Sequence, residues 1–147
     1  MKSVLNKTTR DELISRINKL DENSKALWGQ MNVYQMLKHC AIAEESYIGK
    51  KEYKRIFVGR LIGKKVLKNI LNDDSPMMHN AKTLKDFIVT GNGDIEPEKQ
   101  KWIALLHEYE YYSNGGVIHW FFGPMTKEQV GYFSYKHADH HLRQFNA

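Results

Sequence analysis

Three observations predict an all-helical bundle. Apolar residues recur at three- and four-residue spacing in four separate stretches, a helix-start signal precedes each stretch, and only three prolines interrupt 147 residues. Phe, Trp and Tyr make up 12% of the chain, enough bulk for a core between about four helices. The length suits one domain spanning residues 1–147 and leaves little room for a second.

Thr9-Arg10-Asp11-Glu12 reads as a capping box, and Leu13, Ile14, Ile17 and Leu20 follow at helical spacing. That first helix is expected to end near Asp21-Glu22-Asn23. Asn32, with Gln35 three residues on, starts a second helix. Its stripe of Val33, Met36, Leu37, Cys40, Ala43 and Tyr47 runs to about Ile48-Gly49. Ile56, Phe57, Leu61, Ile62, Val66, Leu67, Ile70 and Leu71 then sit among lysines, as one or two short amphipathic helices. Asn72-Asp73-Asp74-Ser75-Pro76 stops them, and a loop is expected to about Asn92. Asp94 before Glu96-Pro97 is an N-cap for a helix whose inner face is Trp102, Leu105, Leu106, Tyr109 and Tyr112. Asn114-Gly115-Gly116 breaks that helix, and Val117 to Pro124 reads as an aromatic loop. Thr126-Lys127-Glu128-Gln129 opens the last helix, which runs to about Gln144.

Composition narrows the function classes. Met1-Lys2-Ser3-Val4 has no apolar run behind it, so no signal peptide is expected. No stretch approaches the roughly 20 apolar residues of a membrane span. Cys40 is the single cysteine, which excludes an internal disulfide or a multi-thiolate zinc site and fits a reducing cytoplasm. Any metal must be held by His and carboxylate. The net charge of +5 is concentrated in Lys50, Lys51, Lys54, Arg55, Arg60, Lys64, Lys65 and Lys68. Such a segment suits nucleic acid, an anionic membrane surface or an anionic thiol cofactor. No DNA- or RNA-reading motif accompanies it, so a specific nucleic-acid partner is not expected, and a solvated amphipathic helix is the plain alternative.

Three of the seven histidines crowd into Tyr135-Lys136-His137-Ala138-Asp139-His140-His141. At 100° per residue, Val130, Phe133, Ser134, His137, His141 and Gln144 share one face. Val130 and Phe133 belong to the core, so His137 and His141 turn inward too. Two imidazoles at i and i+4 can reach one ion, and His140 lies on the flank. A catalytic site takes three protein ligands and leaves a position open, and His39 at the edge of the second helix's stripe is the best third candidate. The residues alone leave two readings open, a metal site and a metal-free histidine cluster.

Other polar residues carry weaker expectations. His119 either lines the pocket mouth as a base or bonds loop backbone, the second being the simpler reading. Gln144 is placed to fix the tautomer of a ligand imidazole. Glu44 and Glu45, one turn past His39, either approach the metal or face solvent, and Asp139 reads as solvated. Cys40 reads as a small core residue. Tyr109, Tyr111 and Tyr112 supply two inward rings and one outward.

The segment Trp28-Gly29-Gln30-Met31-Asn32-Val33-Tyr34-Gln35-Met36-Leu37-Lys38-His39-Cys40 resembles the opening of the second helix in the DinB/YfiT-like superfamily. Phe122-Gly123-Pro124-Met125-Thr126-Lys127-Glu128-Gln129 and His137 to Phe145 resemble that family's closing helix. The resemblance covers almost the whole chain, and the ending matches a bacterial branch of unknown function. It implies a four-helix bundle with long crossover connections and a metal held by His39, His137 and His141, with zinc or nickel the usual ions. Some relatives in that superfamily use low-molecular-weight thiols, as mycothiol-dependent isomerases or bacillithiol S-transferases, and dimers are common. The expected function is therefore a metal-dependent transfer of such a thiol to a small-molecule substrate, or metal-assisted hydrolysis. The competing expectation is a non-catalytic metal-binding stress or interaction protein that uses the basic 50–68 segment.

Overall fold

The structure, a computed structural model, describes residues 1–81, 83–113 and 115–147. Among these lie five α-helices, α1 (Lys7–Asn18), α2 (Val33–Tyr47), α3 (Phe57–Ile70), α4 (Ile95–Glu108) and α5 (Lys127–Gln144). Strands β1 (Gly116–His119) and β2 (Gly123–Thr126) separate α4 from α5, and single 3-10 turns occur at Lys85–Phe87 and Tyr109–Tyr111. The class is mostly helical, with a small sheet that an all-helical reading omits.

Three helix starts, at Asn32, Asp94 and Thr126, are where the sequence signals put them, two of them as capping boxes. Asn32 Oδ1 accepts from the Gln35 amide at 2.8 Å, and Gln35 Oε1 accepts from the Asn32 amide at 3.1 Å. Thr126 and Gln129 repeat the exchange at 3.3 and 3.0 Å. Each box satisfies two amides that a helix start leaves unpaired. The start of α1 differs from expectation. Asn6 is its cap, accepting from the Thr9 amide at 3.2 Å, so Thr9 and Arg10 are buried in the first turn. The earlier start lets the Arg10 guanidinium donate to the Val4 and Leu5 carbonyls at 3.0 and 3.1 Å. That helix also ends sooner, at Asn18, with Lys19 as its C-cap.

The expected aromatic loop is a hairpin. Val117 pairs with Met125 and Ile118 with Pro124 in an antiparallel ladder. The β-branched Val117-Ile118 pair favours strand geometry. The turn is closed by His119, whose Nδ1 accepts from the Phe121 and Phe122 amides at 3.1 and 3.2 Å. The basic segment forms one helix, α3, with Lys50, Lys51, Lys54 and Arg55 outside it. The α-helix expected to reach Tyr112 ends at Glu108, and a 3-10 turn completes it. Tyr109 and Tyr112 still face inward while Tyr111 is exposed.

α2 packs on α4 and α5, and α1 packs on the same two helices. Leu13, Ile17, Met36, Leu37, Trp102, Leu106 and Leu142 fill the space between them. α3 sits outside, against the hairpin. A Cβ on Gly59 or Gly63 would lie 2.4 or 2.1 Å from the Phe121 carbonyl oxygen, so the helix backbone rests directly on the turn. Lys136 of α5 donates to the Ile70 and Asp73 carbonyls at 2.7 and 2.8 Å, placing a cation where the dipole of α3 is negative.

Glu44 is fully buried between α2, α5 and the turn after α4. The Tyr109 hydroxyl donates to its Oε2 at 2.6 Å, and the Ser134 hydroxyl lies 2.8 and 3.0 Å from its two oxygens. Burial pushes the carboxyl up to about 7, against the opposing pull of these hydrogen bonds.

Two outcomes follow from this packing. The folded chain holds the Glu44 proton more tightly than the unfolded chain does, so stability falls as pH rises from 4.5 to about 7 and stays lower above it. Relative to Glu44→Gln, wild-type protein loses on the order of 3 kcal/mol across that window at 1.36 kcal/mol per unit, measured by urea unfolding. Gly63→Ala wedges α3 off Phe121 and costs about 1–3 kcal/mol. Amide exchange is expected to show α3 losing protection while α2 and α5 keep theirs.

Candidate metal centre

Cys40 and Met36 point into the core and are fully buried, and the flank of α2 beside them meets α5. His39 stands on that flank. Across from it, His137 and His141 occupy successive turns of α5. One ring nitrogen from each histidine comes within 4.8 Å of the other two. His39 Nε2 lies 3.3 Å from His137 Nε2. The structure therefore brings together the three residues that the sequence singles out.

Hydrogen bonds fix which nitrogen faces the centre. His39 Nδ1 lies 2.8 Å from the Phe87 carbonyl, an acceptor, so Nδ1 carries the proton and Nε2 keeps its lone pair. His141 Nδ1 lies 2.9 Å from Gln144 Oε1, and Gln144 Nε2 donates to the Trp28 carbonyl at 2.7 Å. That second bond sets the amide orientation, so the same proton assignment holds for His141. His137 is half-buried, and its enclosed Nδ1 has no hydrogen-bond partner among the described residues.

Burial keeps all three rings neutral. It lowers His39, takes His141 down to about 3, and pushes His137 well below the usual imidazole range with help from the neighbouring imidazoles. Neutral imidazoles with free Nε2 lone pairs are metal ligands. At a zinc–nitrogen distance of about 2.0–2.1 Å, a regular tetrahedral site has edges of about 3.3–3.4 Å, which the His39–His137 separation matches.

The neighbouring polar groups divide clearly. His119 bonds the hairpin backbone and stacks on Phe122 at 4.4 Å, as its simpler reading expected. The Tyr47 ring stands edge-on to His137 at 5.7 Å, closing one side. Glu44 is bonded elsewhere and Glu45 pairs with Lys101 at 2.8 Å, so neither carboxylate belongs to the group. Asp139 is not a solvated residue, because Arg16 and Arg143 each bind it at 2.7 Å. Cys40 is core, its thiol 3.7 Å from Met36 Sδ. His140 lies outside the three, beside the half-buried Trp28 ring, on which the exposed His79 stacks at 3.9 Å. Sequence reasoning missed the Phe87 and Trp28 carbonyls, since a backbone acceptor has no residue signature. A separate surface cleft of about 440 Å³, lined in part by Ser46, Glu52, Val117 and Met125, includes none of the three histidines.

A family model described as "Protein of unknown function (DUF1569)" matches residues 1–147. The chain belongs to the DUF1569 family. No curated protein and no solved structure matches it. In this DUF1569 chain the group is made by α2 and α5, with the Phe87 carbonyl and Gln144 as its hydrogen-bond supports.

The hydrogen bonds predict a tautomer pattern. Long-range ¹H–¹⁵N spectra of metal-free protein at neutral pH are expected to show His39 and His141 protonated at Nδ1. In Gln144→Ala, His141 loses that preference while His39 keeps it; an unchanged His141 signal would contradict the role given to Gln144.

Proposed function

We propose that this protein is a divalent-metal enzyme of the DinB/YfiT-like kind, with His39, His137 and His141 as ligands for zinc or nickel. The reaction class we assign is transfer of a low-molecular-weight thiol to a small electrophile, with metal-assisted hydrolysis as the second reading. The observation that carries the metal site is the convergence of three neutral imidazoles with two Nε2 lone pairs fixed toward a common point. The pairing of α1, α2, α4 and α5 described above supports a four-helix bundle, with the long 71–94 segment among its connections.

A divalent ion held by these residues would lower the pKa of a thiol or water that reaches it, making thiolate or hydroxide available near pH 7. The chain's own residues do the rest. The Phe87 carbonyl holds the His39 proton on Nδ1, and Gln144 holds the His141 proton on Nδ1, so both rings present Nε2 without rotating. Tyr47 and Phe133 exclude water from one side of His137. The ligand group contains three histidines and no carboxylate among the described residues, which supports an open fourth position over a closed structural site. That favours an enzyme over a non-catalytic metal-binding protein.

The test is metal content of protein purified without a His-tag, by mass spectrometry, beside a His137→Ala/His141→Ala variant. About one zinc or nickel per chain, lost in the variant, is the expected result. No metal in wild-type protein after soaking would overturn the site. Calorimetry of metal-loaded protein with bacillithiol or another low-molecular-weight thiol then separates the reactions. Absence of thiol binding removes the transferase reading and leaves hydrolysis.

A further inference from the structure

We infer that the outer face of α3 is a docking surface for an anionic lipid bilayer. The inner face of α3 is accounted for by Gly59 and Gly63, which lie against the hairpin turn, and by the buried Leu67. The opposite face is not polar. Phe57, Val58, Leu61 and Ile62 are 73%, 53%, 69% and 46% exposed, and their i, i+1, i+4, i+5 spacing puts them in one stripe over the first two turns. Nothing in the packing requires apolar residues there.

The charge around that stripe is of one sign. Arg60 and Lys64 flank it, Lys65 and Lys68 continue it over the last turns, and Lys54 precedes the helix. All five are exposed, and none pairs with a carboxylate among the described residues. The sequence has no Asp or Glu between Glu52 and Asp73. An apolar stripe beside unpaired cations, on a helix attached at the edge of the molecule, matches what an interfacial helix needs. Apolar side chains enter the acyl boundary while Lys and Arg stay among anionic headgroups.

The same features disfavour other occupants. Two copies meeting through this face would bring their cations together. Nucleic acid would answer the charge but leave Val58, Leu61 and Ile62 facing phosphate and water. No helix among the described residues is long and apolar enough to cross a membrane, so the association is peripheral. This inference uses none of the histidines and stands or falls apart from the metal site.

The experiment is flotation of the full chain with phosphatidylcholine vesicles, with and without phosphatidylglycerol, at low and high salt. Two variants accompany it, Phe57→Ser/Leu61→Ser and Lys64→Glu/Lys65→Glu/Lys68→Glu, each checked for unchanged far-UV circular dichroism and metal content. Wild-type protein is expected to float with the anionic vesicles, and salt should weaken that association. Each variant should reduce the bound fraction more than about tenfold. Failure to float with anionic vesicles overturns the inference, as does equal binding to neutral ones. Full binding by the serine variant would make the contact electrostatic alone and also overturn it. A wild-type dimer that the serine variant dissociates would assign the face to a second copy instead.

Discussion

Glu44 sets the arrangement on which the rest depends. Its carboxyl lies where α2, α5 and the turn after α4 meet, and Tyr109 and Ser134 are its hydrogen-bond partners. A polar group in such surroundings is tolerated only while its partners stay in place, so it fixes rotation and register where apolar side chains would allow sliding. His39 lies five residues before Glu44 and His137 three residues after Ser134. The registration that satisfies the carboxyl also brings the imidazoles face to face.

The molecule sorts its charges by place. Cations that enter the interior do so at carbonyl groups: Lys136 at the end of α3, and Lys99 on the Leu20 carbonyl at 3.0 Å beyond α1. There the backbone's partial negative charge offsets the burial of an ammonium. The histidines receive the opposite treatment. His39 and His141 are buried and His137 half-buried, with no carboxylate in the group, which favours neutral rings and leaves lone pairs as the dominant feature of the space between α2 and α5.

Helix starts at Asn32, Asp94 and Thr126 were legible because each is written in a short polar pattern with one geometric solution. Thr9 misled for the same reason: Thr9 and Glu12 have the spacing of a capping box, but Asn6 is an equally good cap and permits the burial of Arg10. The hairpin was obscured by its aromatic content, and by a turn held through His119 rather than through an Asn-Gly pair. His137 and His141 could be placed from helical periodicity alone. His39 could not, because its distance from them depends on how α2 meets α5, and residues 39 and 137 are far apart in the chain. Glu44 showed the limit most plainly. Its position past His39 left a metal ligand and a solvent-facing residue as the alternatives, whereas Ser134 and Tyr109, remote in sequence, engage it in the interior.

The glycines of α3 divide that helix into two surfaces with different histories open to them. At Gly59 and Gly63 any side chain meets the Phe121 carbonyl, so drift there is blocked by packing. At Phe57, Val58, Leu61 and Ile62 packing imposes nothing, and polar replacements would leave the fold as it is. Constancy on the inner face across DUF1569 chains would therefore record architecture, whereas constancy on the outer face would record selection by something outside the protein.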